Sequence, residues 1–302
     1  MVDRKITIPD QKGRDRSRME QNRGSLEMGL SKFRTRVALL GLALAAGFAA
    51  PAHAGVGDLL VAPTRIILDG RRGTEIVLNN VGDAPATYRI SVEFRRMTAD
   101  GQLEDVADPT PQEKAAADMI VYAPRRVTLA PHQPQSIRIA ARPPQGVPDG
   151  EYRVHLLFRA IPPATPVVPA SAEAPKGVHL QLIPIYGVTI PVIVRLGNLQ
   201  ATAGLANVEL EKKDGKALVG VELSRSGTRS TFGEVRVYKP GVKDPIAVQR
   251  AIAVYTELDQ RHVAIPVDEG YKGPLAGPVT VQYFETSDDG AQKLAEIQAV
   301  LR

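Results

Sequence analysis

The sequence predicts an all-β protein built as two β-sandwiches, and three observations carry that prediction. Five Asp-Gly pairs punctuate the chain at Asp69-Gly70, Asp100-Gly101, Asp149-Gly150, Asp214-Gly215 and Asp289-Gly290. Asp-Gly tolerates the positive φ angles that tight hairpin turns require. Between the turns lie short β-type runs at the spacing of about 8–12 residues that marks antiparallel sandwiches. Helical patterning is confined to "PQEKAAADM" (Pro111–Met119) and, ambiguously, to the tail "AQKLAEIQAVLR". In the tail, Leu294, Ile297 and Leu301 fit a helix, while Ala295, Ile297, Ala299 and Leu301 fit a strand.

The N-terminus reads as a leader rather than as part of the fold. "VALLGLALAAGFAA" (Val37–Ala50) is an apolar run preceded by Lys32, Arg34 and Arg36 and followed by "PAHA". Ala52 and Ala54 are small residues where a signal peptidase reads, which predicts cleavage after Ala54. The run falls short of the about 20 residues a bilayer span needs. The polar stretch before it points to Met28 as the true start. Residues 1–54 hold 10 of the 38 Lys and Arg and 5 of the 33 Asp and Glu, so the rest carries 28 of each. The basic excess belongs to the leader, and no nucleic-acid footprint is expected in the mature chain. No long apolar span follows Ala54, so the mature chain is expected not to be embedded in a membrane.

The remaining 248 of the 302 residues, Gly55 to Arg302, contain no cysteine. Two cores of about 100 residues or more stabilise themselves without disulfides. The expected organisation is a leader over 1–54, a first sandwich over 55–196 and a second over 197–302. In the first, "TEIVLNN", "TYRISVEF", "QSIRIAA" and "YRVHLLFRAI" read as strands; in the last, Tyr152, Val154, Leu156 and Phe158 alternate with Arg153, His155, Leu157 and Arg159. That period of two buries one face. "ATPVVPASAEAPKG" (Ala164–Gly177) is a Pro/Ala-rich loop. In the second sandwich, "NVELEKKDGKALVGVELS" reads as a hairpin, followed by "GEVRVYK", "AIAVYTE", "HVAIP" and "VTVQYFE". The arginines of "SRSGTRSTFGEVRVY", Arg225, Arg229 and Arg236, read as solvated surface.

Catalytic motifs are missing. His132, His155, His179 and His262 are widely separated, with no paired metal spacing. There is no GxSxG, phosphate loop or GxGxxG. No enzyme activity, cofactor or metal is expected. His155 and His179 lie on apolar strands and read as hydrogen-bonded or surface histidines.

The informative stretch is "VHLQLIPIYGVTIPVIVR" (Val178–Arg195). Its even positions are apolar throughout, while its odd positions turn polar at each end. Pro184 and Pro191 cannot donate to a strand ladder, which places parts of the stretch at a sheet edge. Gly187 permits a bulge there. Two readings stand: a long strand that switches sheets at a corner, or an edge left open so that another chain adds a strand.

Four segments in order resemble the periplasmic pilus (fimbrial) chaperones, the PapD-like family. They are "VAPTRIILDG" (Val61–Gly70), "VYAPRRVTLAPHQPQSIRI" (Val121–Ile139), "YRVHLLFRAIPP" (Tyr152–Pro163) and "LQLIPIYGVTIPVIVR", which sits where the family has the last strand of its first domain. The resemblance implies two immunoglobulin-like domains in a boomerang, located in the periplasm. It implies donation of an edge strand to pilus subunits, followed by delivery to an outer-membrane usher.

By the same resemblance, Arg65 matches the arginine that binds the subunit's C-terminal carboxylate, a geometry a guanidinium satisfies with two charge-assisted hydrogen bonds. Leu180, Leu182 and Tyr186 fall on the groove-filling face. The family's lysine partner to the arginine is missing: its position falls on Pro191, and Thr189 is the nearest polar side chain. The rival expectations are a secreted structural or adhesive β-sandwich protein and, more distantly, a hydrolase.

Overall fold

A computed structural model describes residues 58–162, 185–287 and 290–302, which form eighteen strands and one helix. The first sandwich holds strands β1 (Leu59–Ala62), β2 (Ile66–Leu68), β3 (Thr74–Asn80), β4 (Ala86–Glu93), the short pair β5 (Arg95–Met97) and β6 (Leu103–Asp105), and helix α1 (Pro111–Met119). β7 (Ile120–Ala123), β8 (Arg126–Leu129), β9 (Pro134–Ala141), β10 (Gly150–Ile161) and β11 (Gly187–Leu196) complete it. Its two sheets run β1-β3-β9-β7 and β2-β11-β10-β4-β8. The second sandwich comprises β12 (Ala201–Lys213), β13 (Lys216–Gly227), β14 (Thr231–Tyr238), β15 (Ala247–Val254), β16 (Gln260–Pro266), β17 (Gly277–Ser287) and β18 (Gly290–Leu301). They form sheets β12-β13-β16 and β15-β14-β17-β18. The fold is thus all-β, with two immunoglobulin-like β-sandwiches.

The strand alternation read from the sequence is realised in the cores. Tyr152, Val154, Leu156 and Phe158 of β10 are all buried and pack with Ile76, Leu78, Ile137 and Ile139 from the facing sheet. Each such side chain contributes roughly 1.5–3 kcal/mol by leaving water. A second cluster, with Val219, Val221, Val235, Val237 and Tyr283 at its centre, stabilises the other sandwich. The Asp214-Gly215 pair makes the expected tight hairpin: both residues have positive φ, 51° and 77°, and join β12 to β13. Asp149-Gly150 does not turn in this way; Gly150 opens β10. Of the two readings of the tail, the strand is the one formed, because β18 pairs along β17 from Ser287↔Gly290 to Gly277↔Leu301.

Helix α1 forms where expected, and its start is well determined. Thr110 accepts from the backbone N–H of Glu113, while Glu113 accepts from the N–H of Thr110, a reciprocal cap, with Pro111 in the first turn. The Arg96 guanidinium, bonded to the Glu113 carboxylate at 2.6 and 2.7 Å, holds that group's pKa down at about 2. Thr110→Ala removes the cap and is expected to cost about 1 kcal/mol, lowering the melting temperature by about 2–4 °C in a scanning calorimeter.

The arginines of the second sandwich depart from the solvated-surface expectation. Arg225 is 6% exposed and donates to the carbonyls of Leu258, Gly227, Arg229 and Thr256. Arg229 pairs with Glu285, and Arg236 pairs with Glu234 while lying 4.5 Å over the Phe284 ring. Leu258 and Thr256 around Arg225, and Glu285 at Arg229, are distant in sequence, whereas Glu234 lies only two residues from Arg236.

Candidate functional site: an open strand edge ending at an arginine

The segment Leu59–Leu68 divides between the two sheets of the first sandwich. β1 pairs with β3 in one, then the chain crosses at Pro63–Arg65, and β2 pairs in parallel with β11 in the other. β2 is short and covers only Val192, Ile193 and Val194. From Gly187 to Pro191, the side of β11 facing away from β10 has no strand beside it among the described residues.

The polarity of that edge follows from the ladder. The Ala160 N–H donates to the Tyr186 carbonyl at 2.9 Å, so residue 186 and its even-numbered successors bond toward β10. Opposed residues alternate in an antiparallel pair, so Gly187, Thr189 and Pro191 turn their backbone groups outward. The open edge therefore offers two N–H donors and two carbonyls, those of Gly187 and Thr189, since the register puts the Pro191 carbonyl against the start of β2. Pro191 aims its missing donor outward, where it disrupts no bond to β10. The described part of the stretch stays in one sheet rather than switching between two: β2 covers Val192–Val194, and Gly187–Pro191 is an edge.

The side chains sort by the same parity. Val188, Ile190, Val192 and Val194 face the core of the first sandwich. Tyr186 shares their parity but precedes the strand and is 54% exposed, beside an exposed Ile185. Leu180 and Leu182 lie outside the described residues. On the opposite face, Ile193 is fully buried against Met97, Ala253 and Tyr255, which joins the two sandwiches. Thr189 also lies on this face, cross-strand from Leu157.

Arg65 sits immediately before β2. Since Ile66 pairs with Val192, the register carries Arg65 alongside Pro191, at the end of the open edge. Its guanidinium lies 4.6 Å over the Phe232 ring and 5.8 Å from that of Tyr255, both from the second sandwich. One nitrogen donates to Ser230 Oγ at 3.3 Å; Nε and Nη1 are buried without a hydrogen-bond partner. Among the described residues, no carboxylate lies within ion-pair distance of it. Burial pulls its pKa below the ordinary arginine value, and the positive charges of Arg195 and Arg153 add to that. A buried cation with two idle donors is costly unless something anionic supplies the partner.

Two neighbouring arginines are already neutralised. Arg195 Nε bonds Glu151 Oε2 at 2.9 Å, and its Nη2 donates to the Ser230 carbonyl at 3.1 Å. Glu151, 4% exposed, also accepts from the Ser230 N–H at 3.0 Å. Arg229 is held by Glu285. Arg65, Arg195, Arg229 and Glu285 line a cleft of about 840 Å³ with Pro63, Ile67, Asn198, Leu199 and Phe232.

Arg65 and Arg195 thus meet at one serine, whereas Thr189 makes no bond to Arg65. Sequence reasoning passed over Arg195, although it shares the parity of Pro191 and is the only Lys or Arg in Val178–Arg195. Glu151, Ser230 and Phe232 gave no signal at all, because they come from other strands. No helix among the described residues is long and apolar enough to cross a membrane.

No family model and no curated protein matches the chain. Among solved structures it is similar to the E. coli chaperone DraB, at 17% identity over 82% of this chain and 98% of that one, with a TM-score of 0.43. It is similar to the YadV chaperone at 14% identity over 81% and 100%, TM-score 0.42. A chain in the complex of Salmonella enterica SafA pilin with the SafB chaperone is similar at 16% identity over 82% and 98%, TM-score 0.40. Function is argued from the site.

Proposed function

We propose that the protein is a chaperone of pilus-type fibre assembly that lends the open edge of β11 to an incomplete β-sheet of a fibre subunit. The observation that carries this reading is that the edge runs directly into Arg65. A strand laid along Gly187–Pro191 stops where β2 begins. If it runs parallel to β11, its last residue reaches Arg65 and presents a terminal carboxylate to the two idle guanidinium donors. If it runs antiparallel, it presents an ammonium group to a cluster of arginines, which is repulsive. The site therefore selects a parallel strand that ends in a free carboxylate.

Main-chain bonds to Gly187 and Thr189 supply affinity for any sequence, and Tyr186 with Leu180 and Leu182 fills the subunit's exposed groove. Covering an apolar edge in this way keeps both partners from aggregating. No chemical step or cofactor is involved. The leader takes the chain to the periplasm with cleavage after about Ala54, and an outer-membrane usher receives the loaded complex by strand exchange.

The test is affinity purification from cells that make surface fibres, with bound proteins identified by mass spectrometry. A small β-rich partner is the expected result; its absence moves the assignment to a secreted structural protein. Thr189→Pro removes one outward donor without touching the core. A net hydrogen bond of about 1 kcal/mol predicts a five- to tenfold loss of affinity in a titration with that partner. Unchanged affinity rules out pairing along this edge.

A further inference from the structure

Between the sandwiches lies a histidine that the strand-donation reading does not use. His155 of β10 is fully buried, and both ring nitrogens are without a hydrogen-bond partner. Across the sheet it faces Pro191 of β11 on one side and Glu93 of β4 on the other. Its ring meets that of Tyr255 from the second sandwich edge-on, at 89° and 6.5 Å between centroids. Around it, Ile193 and Met97 from the first sandwich pack on Ala253 and Tyr255 from the second, with Phe232 and Leu258 alongside. His155 therefore stands within the apolar contact that holds the sandwiches together.

The charged groups facing it leave an imidazolium without a partner. From its own strand comes Arg153, which lies 3.6 Å over the Tyr255 ring and binds Glu257 at 2.6 and 3.0 Å. From β4 and β5 come Glu93 and Arg95, which bind each other at 3.0 Å. The loop after β15 brings Tyr255 and Glu257, and the segment before β2 brings Arg65. Arg261 of β16 is occupied with the Ala253 carbonyl and Met97. Both nearby carboxylates are already paired with arginines. A proton on His155 would add a buried charge to a contact that carries Arg153, Arg95 and Arg65.

We propose that His155 is an acid-sensitive latch on the joint between the two sandwiches: the joint holds while the ring is neutral and opens when the ring is protonated. This does not depend on the partner reading, since it concerns the chain alone. Burial, then Arg153 and Arg95, holds the folded-state pKa down at about 3, against an ordinary 6.5. The open state binds the proton more tightly, so the stability of the joint is full above pH 6.5 and declines as pH falls toward 3.

The absence of cysteine makes the test direct. Ser136→Cys and Lys272→Cys place one dye on an exposed site of each sandwich in the full chain, and energy transfer is followed from pH 8 to pH 3 alongside far-ultraviolet circular dichroism. The expected result is loss of transfer in acid while the β-strand signal persists, with transfer retained in His155→Leu and His155→Phe. The proposal is overturned if the variants lose transfer at the same pH as the parent, or if the parent keeps it to pH 3. Simultaneous loss of transfer and strand signal in the parent also overturns it, because that is unfolding rather than opening. Should the variants fail to fold, the ring itself is titrated by NMR in the parent: a neutral ring through pH 5 supports the latch, and a midpoint near 6.5 refutes it.

Discussion

Arg65→Glu is expected to abolish partner capture while leaving the two sandwiches folded. The wild-type guanidinium has two buried, unbonded nitrogens, and a carboxylate placed there makes two charge-assisted bonds. Hydrogen bonds to charged groups contribute about 1.5–3 kcal/mol each, so losing both corresponds to a hundredfold drop in affinity or more, and charge reversal adds repulsion. Isothermal titration with the purified partner reads the loss directly. A partner whose C-terminus is amidated should lose a comparable amount against wild-type protein and nothing further against the variant. Equal binding of the amidated and free-acid forms by wild-type protein would remove the carboxylate anchor while leaving strand pairing standing. Among the described residues Arg65 makes no ion pair, so the substitution breaks none within the fold.

Glu151→Ala has the largest expected effect on stability. Glu151 is nearly inaccessible, and its Oε2 binds both the Arg195 side chain and the Ser230 backbone. Removing it strands a partly buried guanidinium and an N–H that belongs to the second sandwich. Truncating one partner of a buried ion pair costs about 3–5 kcal/mol. In a protein of this size that lowers the melting temperature by about 6–20 °C. The conservative change Glu151→Gln keeps the hydrogen-bond acceptor for Ser230 and should recover part of the loss. A melting temperature that Glu151→Ala leaves unchanged would mean that the ion pair contributes no net stability to this joint.

The elements were legible in the sequence wherever the decisive forces are local. Alternation along Tyr152–Phe158 required only that one face of a strand leave water. The run Pro111–Met119 marked a helix by its local pattern, while the reciprocal cap of Thr110 and Glu113 that starts it was seen only in the structure. Asp214-Gly215 marked a turn because few residue pairs accept its φ angles. The tail was undecided because its apolar positions satisfied both periods, and only the edge of β17 made the strand the lower in energy. Arg225 and Arg229 were misread as solvated because partners such as Thr256 for Arg225 and Glu285 for Arg229 lie 31 and 56 residues away, and Arg236 because the ring of Phe284 that it covers comes from another strand.

At the candidate site the division is sharper. Proline chemistry alone placed Pro191 at an edge, and parity alone separated Tyr186 from Thr189; those are properties of single residues and of a strand's period. That the edge stays open from Gly187 to Pro191 depends on where β2 stops, which is set by a chain crossing between sheets more than 120 residues earlier. That Arg65 is left without a counter-charge depends on Glu151 and Glu285 being taken by Arg195 and Arg229, a competition settled only when four strands meet. The sequence by itself determined the strands, their faces and the candidate edge, because backbone period and side-chain polarity act over a few residues. Tertiary structure decided which charges are cancelled and that Arg65 is left without a counter-charge among the described residues, because electrostatic pairing acts through space and ignores position along the chain.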